Sequence, residues 1–262
     1  MIGVITGSGL YKLKDLELKE EKTITTPFGE AEVSLGSIDG KDVAFIARHG
    51  RNHELLPNMI NYRANIFALK ETGVCAIIAT SVMGVVDRLL GLGRVILFDD
   101  LYFPENRLPN GEICTMFTAP GGPERAHYIF SSPFSSYIRG LAAKAAADLN
   151  INHLDGGTYG HVNGPRFNSK AEIRSLQSAR VTAISQTCGP EAVLSGELEI
   201  PYQLIGFGVD YANGVSPKPT PIEVLDSNLS LAATVLPKLI KHTIQSLNLD
   251  EIGFDGILYK FE

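Results

Sequence analysis

The chain has 262 residues, 44% of them hydrophobic and 20% charged, with a formal net charge of -6. That size fits one large α/β domain or two small ones with a sizeable core. The acidic balance argues against a nucleic-acid partner, which calls for a basic face, and no apolar stretch reaches the length of a membrane span.

Ile2 to Thr6 reads as a buried strand, with Thr6-Gly7-Ser8-Gly9 as its turn. Ala31 to Ile38 and Asp42 to Ala47 flank Asp39-Gly40, a hairpin signal. Pro57 to Thr72 reads as a helix, with Pro57 in its first turn and Ile60, Ala64, Phe67 and Ala68 as the apolar stripe. Gly73 ends it. Val74 to Thr80 and Arg94 to Phe98 are predicted strands, and Leu101 to Pro123, rich in Pro, Gly and Asn, a long loop. Phe134 to Leu149 is an alanine-rich helix, and Asp155 to His161 a strand. Ser169 to Ser178 is a helix, where Ser169 and Glu172 form a capping box. Val181 to Ser185 reads as strand, Pro190 to Leu198 as helix and Tyr202 to Val209 as strand. Thr220 to Leu247 is a long final helix that Pro237 is expected to kink.

Strands alternate with helices, without linker or repeat, so the pattern predicts a single α/β domain over 1–262 with a mixed central β-sheet flanked by helices. The three cysteines, Cys75, Cys114 and Cys188, are far apart and show no metal-ligand spacing. No metal site is predicted, Cys75 reads as a buried small hydrophobe, and a reducing compartment follows. Met1 leads directly into the first strand with no basic leader, so a cytoplasmic protein is expected.

The most informative stretch is Ala47-Arg48-His49-Gly50-Arg51-Asn52-His53, which follows the strand ending at Ala47. Four cationic or titratable side chains in so short a run, against the net charge, suggest an anion site. Arginine presents a planar fork of donors matched to phosphate oxygens, and histidine a tunable one. The bland alternative is a solvated basic turn. In α/β sheets ligands sit beyond the carboxyl ends of strands, and Ser8, Arg48, His49, Ser81, Gln186, Thr187 and Asp210 all fall at or after predicted strand ends. Thr6-Gly7-Ser8-Gly9 lacks the third glycine of a dinucleotide fingerprint, since position 12 is Lys, yet its backbone can still cradle phosphate.

Taken together these residues resemble the 5'-methylthioadenosine phosphorylase branch of the purine nucleoside phosphorylase family. The resemblance spans nearly the whole chain. It rests on GVITGSGL at the start, TPFG at 26–29, ARHGRNH at 47–53, PNMINYRANIFALK at 57–70, GPRF at 164–167 with Ala171-Glu172, GPEAVLSGEL at 189–198, and Val209-Asp210-Tyr211. It implies phosphorolysis: inorganic phosphate attacks the anomeric carbon of a purine nucleoside through an oxocarbenium-like transition state, releasing the base and a pentose 1-phosphate. That chemistry needs a positioned phosphate and a hydrogen bond to the leaving base. Phosphate is a co-substrate, and no metal or organic cofactor is implied.

By position, Ser8, Arg48, His49, Ser81, the amide of Val82 and Thr187 resemble the phosphate site. Phe167 would stack on the purine or sugar, Gln186 sits where the family has a methionine against the ribose, and Asn168 where it has a small serine. Asp210 resembles the residue facing purine N7 and, if protonated, would donate as the base leaves. His49 and Asp210 are thus the catalytic candidates. For Arg166 a structural ion pair is expected, and for His53 and His161 ordinary surface or satisfied histidines. The branch's second base-reading aspartate is replaced by Ala212, Asn163 stands where Glu often precedes GPRF, and the stretch after Gly84 lacks the usual Pro-Gly-Asp loop. Adenine-type nucleosides such as 5'-methylthioadenosine or adenosine therefore compete with 6-oxopurine nucleosides such as inosine, guanosine or methylthioinosine. A hydrolytic nucleosidase and an inactive nucleoside-binding paralogue are the rivals outside that class. The resemblance further implies a homotrimer or a dimer of trimers, with a neighbour's Leu101 to Phe117 loop near the site.

Overall fold

A computed structural model describes residues 1–122 and 124–260. The first strand, β1 (Ile2–Thr6), is fully buried. It is followed by β2 (Glu17–Thr26), β3 (Gly29–Ile38) and β4 (Lys41–Ala47), which form a meander. At the β3–β4 turn Asp39 and Gly40 both take positive φ, 49° and 78°, as a primed hairpin turn requires. β2 was not foreseen. Its sequence ELKEEKTITT has no alternation, because it is an exposed edge strand whose charges keep other chains from pairing with it.

Pro57 to Met59 form a separate 3-10 turn, and helix α1 (Tyr62–Glu71) begins only after Asn61, whose side chain accepts from the Ala64 amide. Then come β5 (Ala76–Val85), β6 (Val95–Leu97), β7 (Asp100–Tyr102), β8 (Ala126–Phe130) and α2 (Ser136–Asp148). The predicted strand 155–161 is two strands, β9 (His153–Asp155) and β10 (Thr158–His161). Gly156 and Gly157, at φ of 106° and 123°, turn the chain between them, so that β9 pairs with β6 while β10 joins β7 and β11. The chain continues with α3 (Lys170–Ser178), β11 (Ala183–Ser185), α4 (Cys188–Glu197), β12 (Tyr202–Tyr211), α5 (Ile222–Ser246) and β13 (Gly256–Lys260). α5 runs through Pro237 as one helix. The predicted loop 101–123 is largely irregular, and Pro123 lies outside the described residues.

The architecture is an α/β fold with a mixed sheet in the order β2-β3-β4-β1-β5-β11-β10-β7, with β12, β6 and β9 branching from β5. Helices cover both faces. Ile77, Ala79, Met83 and Val85 of β5 join residues of α1 and α4 in one core cluster, while Ala76 and Ile78 join α2 and α5 in the other. That alternation is the period of two that a strand imposes. Cys75 is exposed rather than buried, because Val74 takes the core position just before β5.

β5 organises the site. Along one edge it pairs with β12 over nearly its whole length. Along the other it pairs in parallel with β1 as far as Ala79, then antiparallel with β11 from Gly84. Between those two partners, residues 80–83 have no strand neighbour on that edge among the described residues. Ser81 and Val82 therefore lie inside a strand rather than after it, yet face a gap in the sheet. A split of this kind opens the crevice that α/β sheets use for ligands.

The capping box at α3 is present: the Ser169 hydroxyl accepts from the Glu172 amide at 3.3 Å and the Glu172 carboxylate accepts from the Ser169 amide at 2.7 Å. Ser169→Ala is expected to lower stability by about 1 kcal/mol, read as a lower urea midpoint at unchanged m-value.

Candidate active site

A cavity of about 480 Å³ opens at the gap in the sheet. It is lined by Ser8 from the turn after β1, His49 from the turn after β4, Ser81 and Val82 of β5, Gln186 and Thr187 after β11, and Asp210 and Ala212 at the end of β12. Phe167 and Asn168 close it from the loop before α3. Every residue singled out in the sequence for this site lines it except Arg48. A larger cavity, about 590 Å³, lies beside β2 and β3, and Arg48 is its sole member of that set. The smaller one is the better candidate, because polar groups from several strand ends converge on a largely apolar wall.

Arg48 is fully buried. Its Nε and Nη2 both donate to Glu191, the latter at 2.9 Å, and its Nη1 donates to the Thr80 carbonyl at 3.0 Å. The fork expected to face an anion is engaged by a carboxylate from α4. Of the five N–H donors of a guanidinium, three are committed and two have no partner among the described residues. Gly7 is glycine for this reason: a Cβ there would sit 2.7 Å from Arg48 Nη1. Gly9, at φ of 84°, completes the turn that presents Ser8.

His49 is 6% exposed, and its Nδ1 lies 2.8 Å from the Leu55 carbonyl oxygen. A carbonyl only accepts, so Nδ1 carries the proton. Burial, reinforced by the Arg48 charge, pushes the His49 pKa down to about 4, so the ring is neutral near pH 7 and Nε2 is an acceptor. His53, read from sequence as an ordinary surface histidine, stacks on His49 at 4.6 Å and lines the cavity. Its φ of 57° is what turns it back over its neighbour, a conformation no pattern in the sequence signals.

Thr187 sits at the N-cap of α4, 4% exposed, without capping the helix through its hydroxyl. The hydroxyl instead lies 3.4 Å from Cys188 Sγ, at a helix N-terminus where the dipole favours an anion. Gln186 turns its amide to the loop instead: Nε2 donates to the Arg166 carbonyl at 3.1 Å, and Gly164 lacks the Cβ that would lie 2.0 Å from Gln186 Oε1. Arg166 makes the expected structural pair, donating to Glu172 at 2.6 and 2.9 Å. These contacts hold the loop that carries Phe167, which is 83% exposed at the cavity mouth. Asn163 donates to Glu105 and does not line this cavity.

At the base-facing end, Asp210 follows a register shift in β12 after Gly208. Burial raises its pKa to about 6. Ala212 is buried among Ile173, Ile184 and Val86, an apolar wall. Asn213, not foreseen, also lines the cavity and donates to the Asn168 carbonyl at 2.8 Å. The buried Asn168 Oδ1 has no partner among the described residues. His161 is buried against Phe103, with its pKa pushed down by burial to about 3 and its Nδ1 without a partner among the described residues, and lines a separate cavity of about 190 Å³. Among the described residues no cluster of His, Cys, Asp or Glu is placed to hold a metal ion, and no helix is long and apolar enough to cross a membrane.

The family model for the phosphorylase superfamily matches residues 1–245. A probable 6-oxopurine nucleoside phosphorylase from Thermococcus kodakarensis is 36% identical over 231 residues, 86% of this chain and 85% of its own. An S-methyl-5'-thioadenosine phosphorylase from Saccharolobus solfataricus is 37% identical over 213 residues, 80% of this chain and 76% of its own. A methylthioadenosine phosphorylase from Schistosoma mansoni, solved with adenine, shares the fold with a TM-score of 0.85 at 21% identity, over 95% of this chain and 93% of its own. On the match of sequence and fold, the chain belongs to the phosphorylase superfamily.

Proposed function

We propose that this protein is a pentosyltransferase that cleaves the N-glycosidic bond of purine nucleosides with inorganic phosphate, acting on 5'-methylthioadenosine or adenosine. The observation that carries the reading is the convergence of Ser8, His49, Ser81 and Thr187 at one end of a cavity that holds Asp210 at the other. Relatives with both adenine-type and 6-oxopurine names support the class.

In this reading phosphate sits between the Ser8 turn, Ser81, the Val82 amide and Thr187, with Arg48 behind them and His49 accepting from a phosphate hydroxyl. Fixed donors place the nucleophile against the anomeric carbon, the dominant contribution when little covalent chemistry is required. Phe167 packs on the base or sugar. Asp210 in its acid form donates to N7 as negative charge builds on the leaving purine. Burial is what brings its pKa close enough to neutrality for that role. No metal or organic cofactor takes part. The partners are nucleoside and phosphate, without nucleic acid or membrane. The working form is a homotrimer or dimer of trimers, a state the family resemblance supports, and its compartment is the cytoplasm, in keeping with three cysteines that are all unpaired.

A second reading, 6-oxopurine nucleosides, is favoured by Ala212 at the position of the second aspartate and by the unpartnered Asn168 carboxamide oxygen, which can accept from a purine N1–H. Base release from 5'-methylthioadenosine, adenosine, inosine and guanosine, each with and without phosphate, separates the two. Phosphate-dependent cleavage of the adenine nucleosides is expected. Cleavage of the 6-oxo nucleosides alone would favour the second reading, and release independent of phosphate would end both.

Two further outcomes rest on Asp210. Since its acid form is the donor, kcat/KM should fall as pH rises through about 6. Asp210→Asn should abolish that limb and lower kcat by about a hundredfold or more. The folded-state pKa lies above the ordinary 3.8, so the native state holds this proton more tightly, and stability falls as pH rises from 3.8 to about 6. Asp210→Asn should therefore gain stability over the parent across that window, by at most about 3 kcal/mol, and keep a constant margin above it. Urea unfolding at a series of pH values measures it.

A further inference from the structure

Glu191 lies outside the cavity and is 2% exposed, yet both its carboxylate oxygens are fully engaged. Oε1 accepts from Arg48 Nε, and Oε2 accepts from Arg48 Nη2 at 2.9 Å and from the Tyr202 hydroxyl at 2.8 Å. The phenol is a reliable donor because burial holds its pKa well above the ordinary value. The guanidinium is gripped side-on by a carboxylate that is itself gripped from β12.

The remaining contacts of Arg48 reach the parts of the site that bear hydroxyls. Its backbone amide donates to the Thr6 carbonyl at 2.9 Å, next to the Gly7-Ser8 turn. Its Nη1 lies against Gly7 and donates to the Thr80 carbonyl, the residue before Ser81. Glu191 belongs to the first turn of α4, whose N-cap is Thr187. One buried carboxylate thus ties together the elements that present Ser8, His49, Ser81 and Thr187.

We propose that Glu191 is a positioning residue for the phosphate half of the site: it holds the buried Arg48 guanidinium in the orientation that sets the spacing of the Ser8 turn and Ser81. The inference rests on the phosphorolysis reading above. A buried staple that served folding alone would lower stability and leave the binding of phosphate unchanged. A positioning role moves phosphate affinity while the base and sugar contacts, which sit on Phe167, Asn168 and Asp210, stay as they were.

The test is steady-state kinetics on the parent, Glu191→Gln and Tyr202→Phe, with phosphate varied at saturating nucleoside and nucleoside varied at saturating phosphate. Loss of a charged partner from a buried fork is expected to raise the phosphate KM by about tenfold or more in Glu191→Gln. Loss of one neutral hydrogen bond should raise it by about threefold in Tyr202→Phe. The nucleoside KM should stay within about twofold in both, since neither residue reaches that half of the cavity. Calorimetric titration of each nucleoside-free protein with inorganic phosphate should show the same ranking. An unchanged phosphate KM in folded Glu191→Gln, or a nucleoside KM that rises in step with it, overturns the proposal. Should Glu191→Gln fail to fold, the near-isosteric Tyr202→Phe decides: a raised phosphate KM supports the proposal and an unchanged one overturns it. Base release by the parent without phosphate would instead remove the phosphorolysis reading, an outcome separate from any difference among the variants.

Discussion

The buried ion pair between Arg48 and Glu191 is the constraint on which the rest of the site depends. Both side chains are out of water, at 0% and 2% exposure, so neither charge is tolerable without the other. The pair dictates small residues around it, Gly7 above all, and recruits the Thr80 carbonyl and the Tyr202 hydroxyl. Together with Glu191 of α4, those partners lie in the turn after β1, in β5 and in β12. A polar knot of that kind contributes less to net stability than to fixing one arrangement of the elements it joins.

The sheet supplies the complementary feature, a place where order is withheld. β12 keeps β5 extended to Val85, but on the opposite edge β1 stops and β11 begins only after a gap. The strand presents Ser81 and Val82 there with the rigidity of a central strand and the accessibility of an edge. The Arg48 side chain fills the start of that gap at the Thr80 carbonyl, and the cavity occupies the rest.

Electrostatically the site is quieter than its basic sequence suggests. Arg48 is neutralised by Glu191, and burial keeps His49 neutral near pH 7. Arg51 is committed to Glu21 at 2.5 Å and Glu32 at 3.3 Å on the β2–β3 hairpin. An anion in the cavity would meet hydroxyls, amides and a helix N-terminus, with the paired guanidinium buried behind them, instead of a cluster of free cations. Asp210, pushed up by burial at the other end, completes a site in which desolvation governs the titrating groups.

Local rules written in adjacent residues were readable without the structure: the apolar run of β1, the Asp39-Gly40 turn, the Ser169–Glu172 capping box, and the motifs that contain Ser8, His49, Phe167 and Asp210. Each depends on neighbours within a few positions, where backbone geometry and side-chain capping act directly. The sequence did not reveal β2, whose character as a strand comes from pairing with β3, nor the break at Gly156-Gly157, which depends on which strands its two halves join. It marked Arg48 as an anion ligand but not its partner Glu191, 143 residues away, nor that burial would silence His49 and lift Asp210. Those properties belong to the packed chain, because desolvation and the pairing of buried charge exist only once distant segments exclude water together.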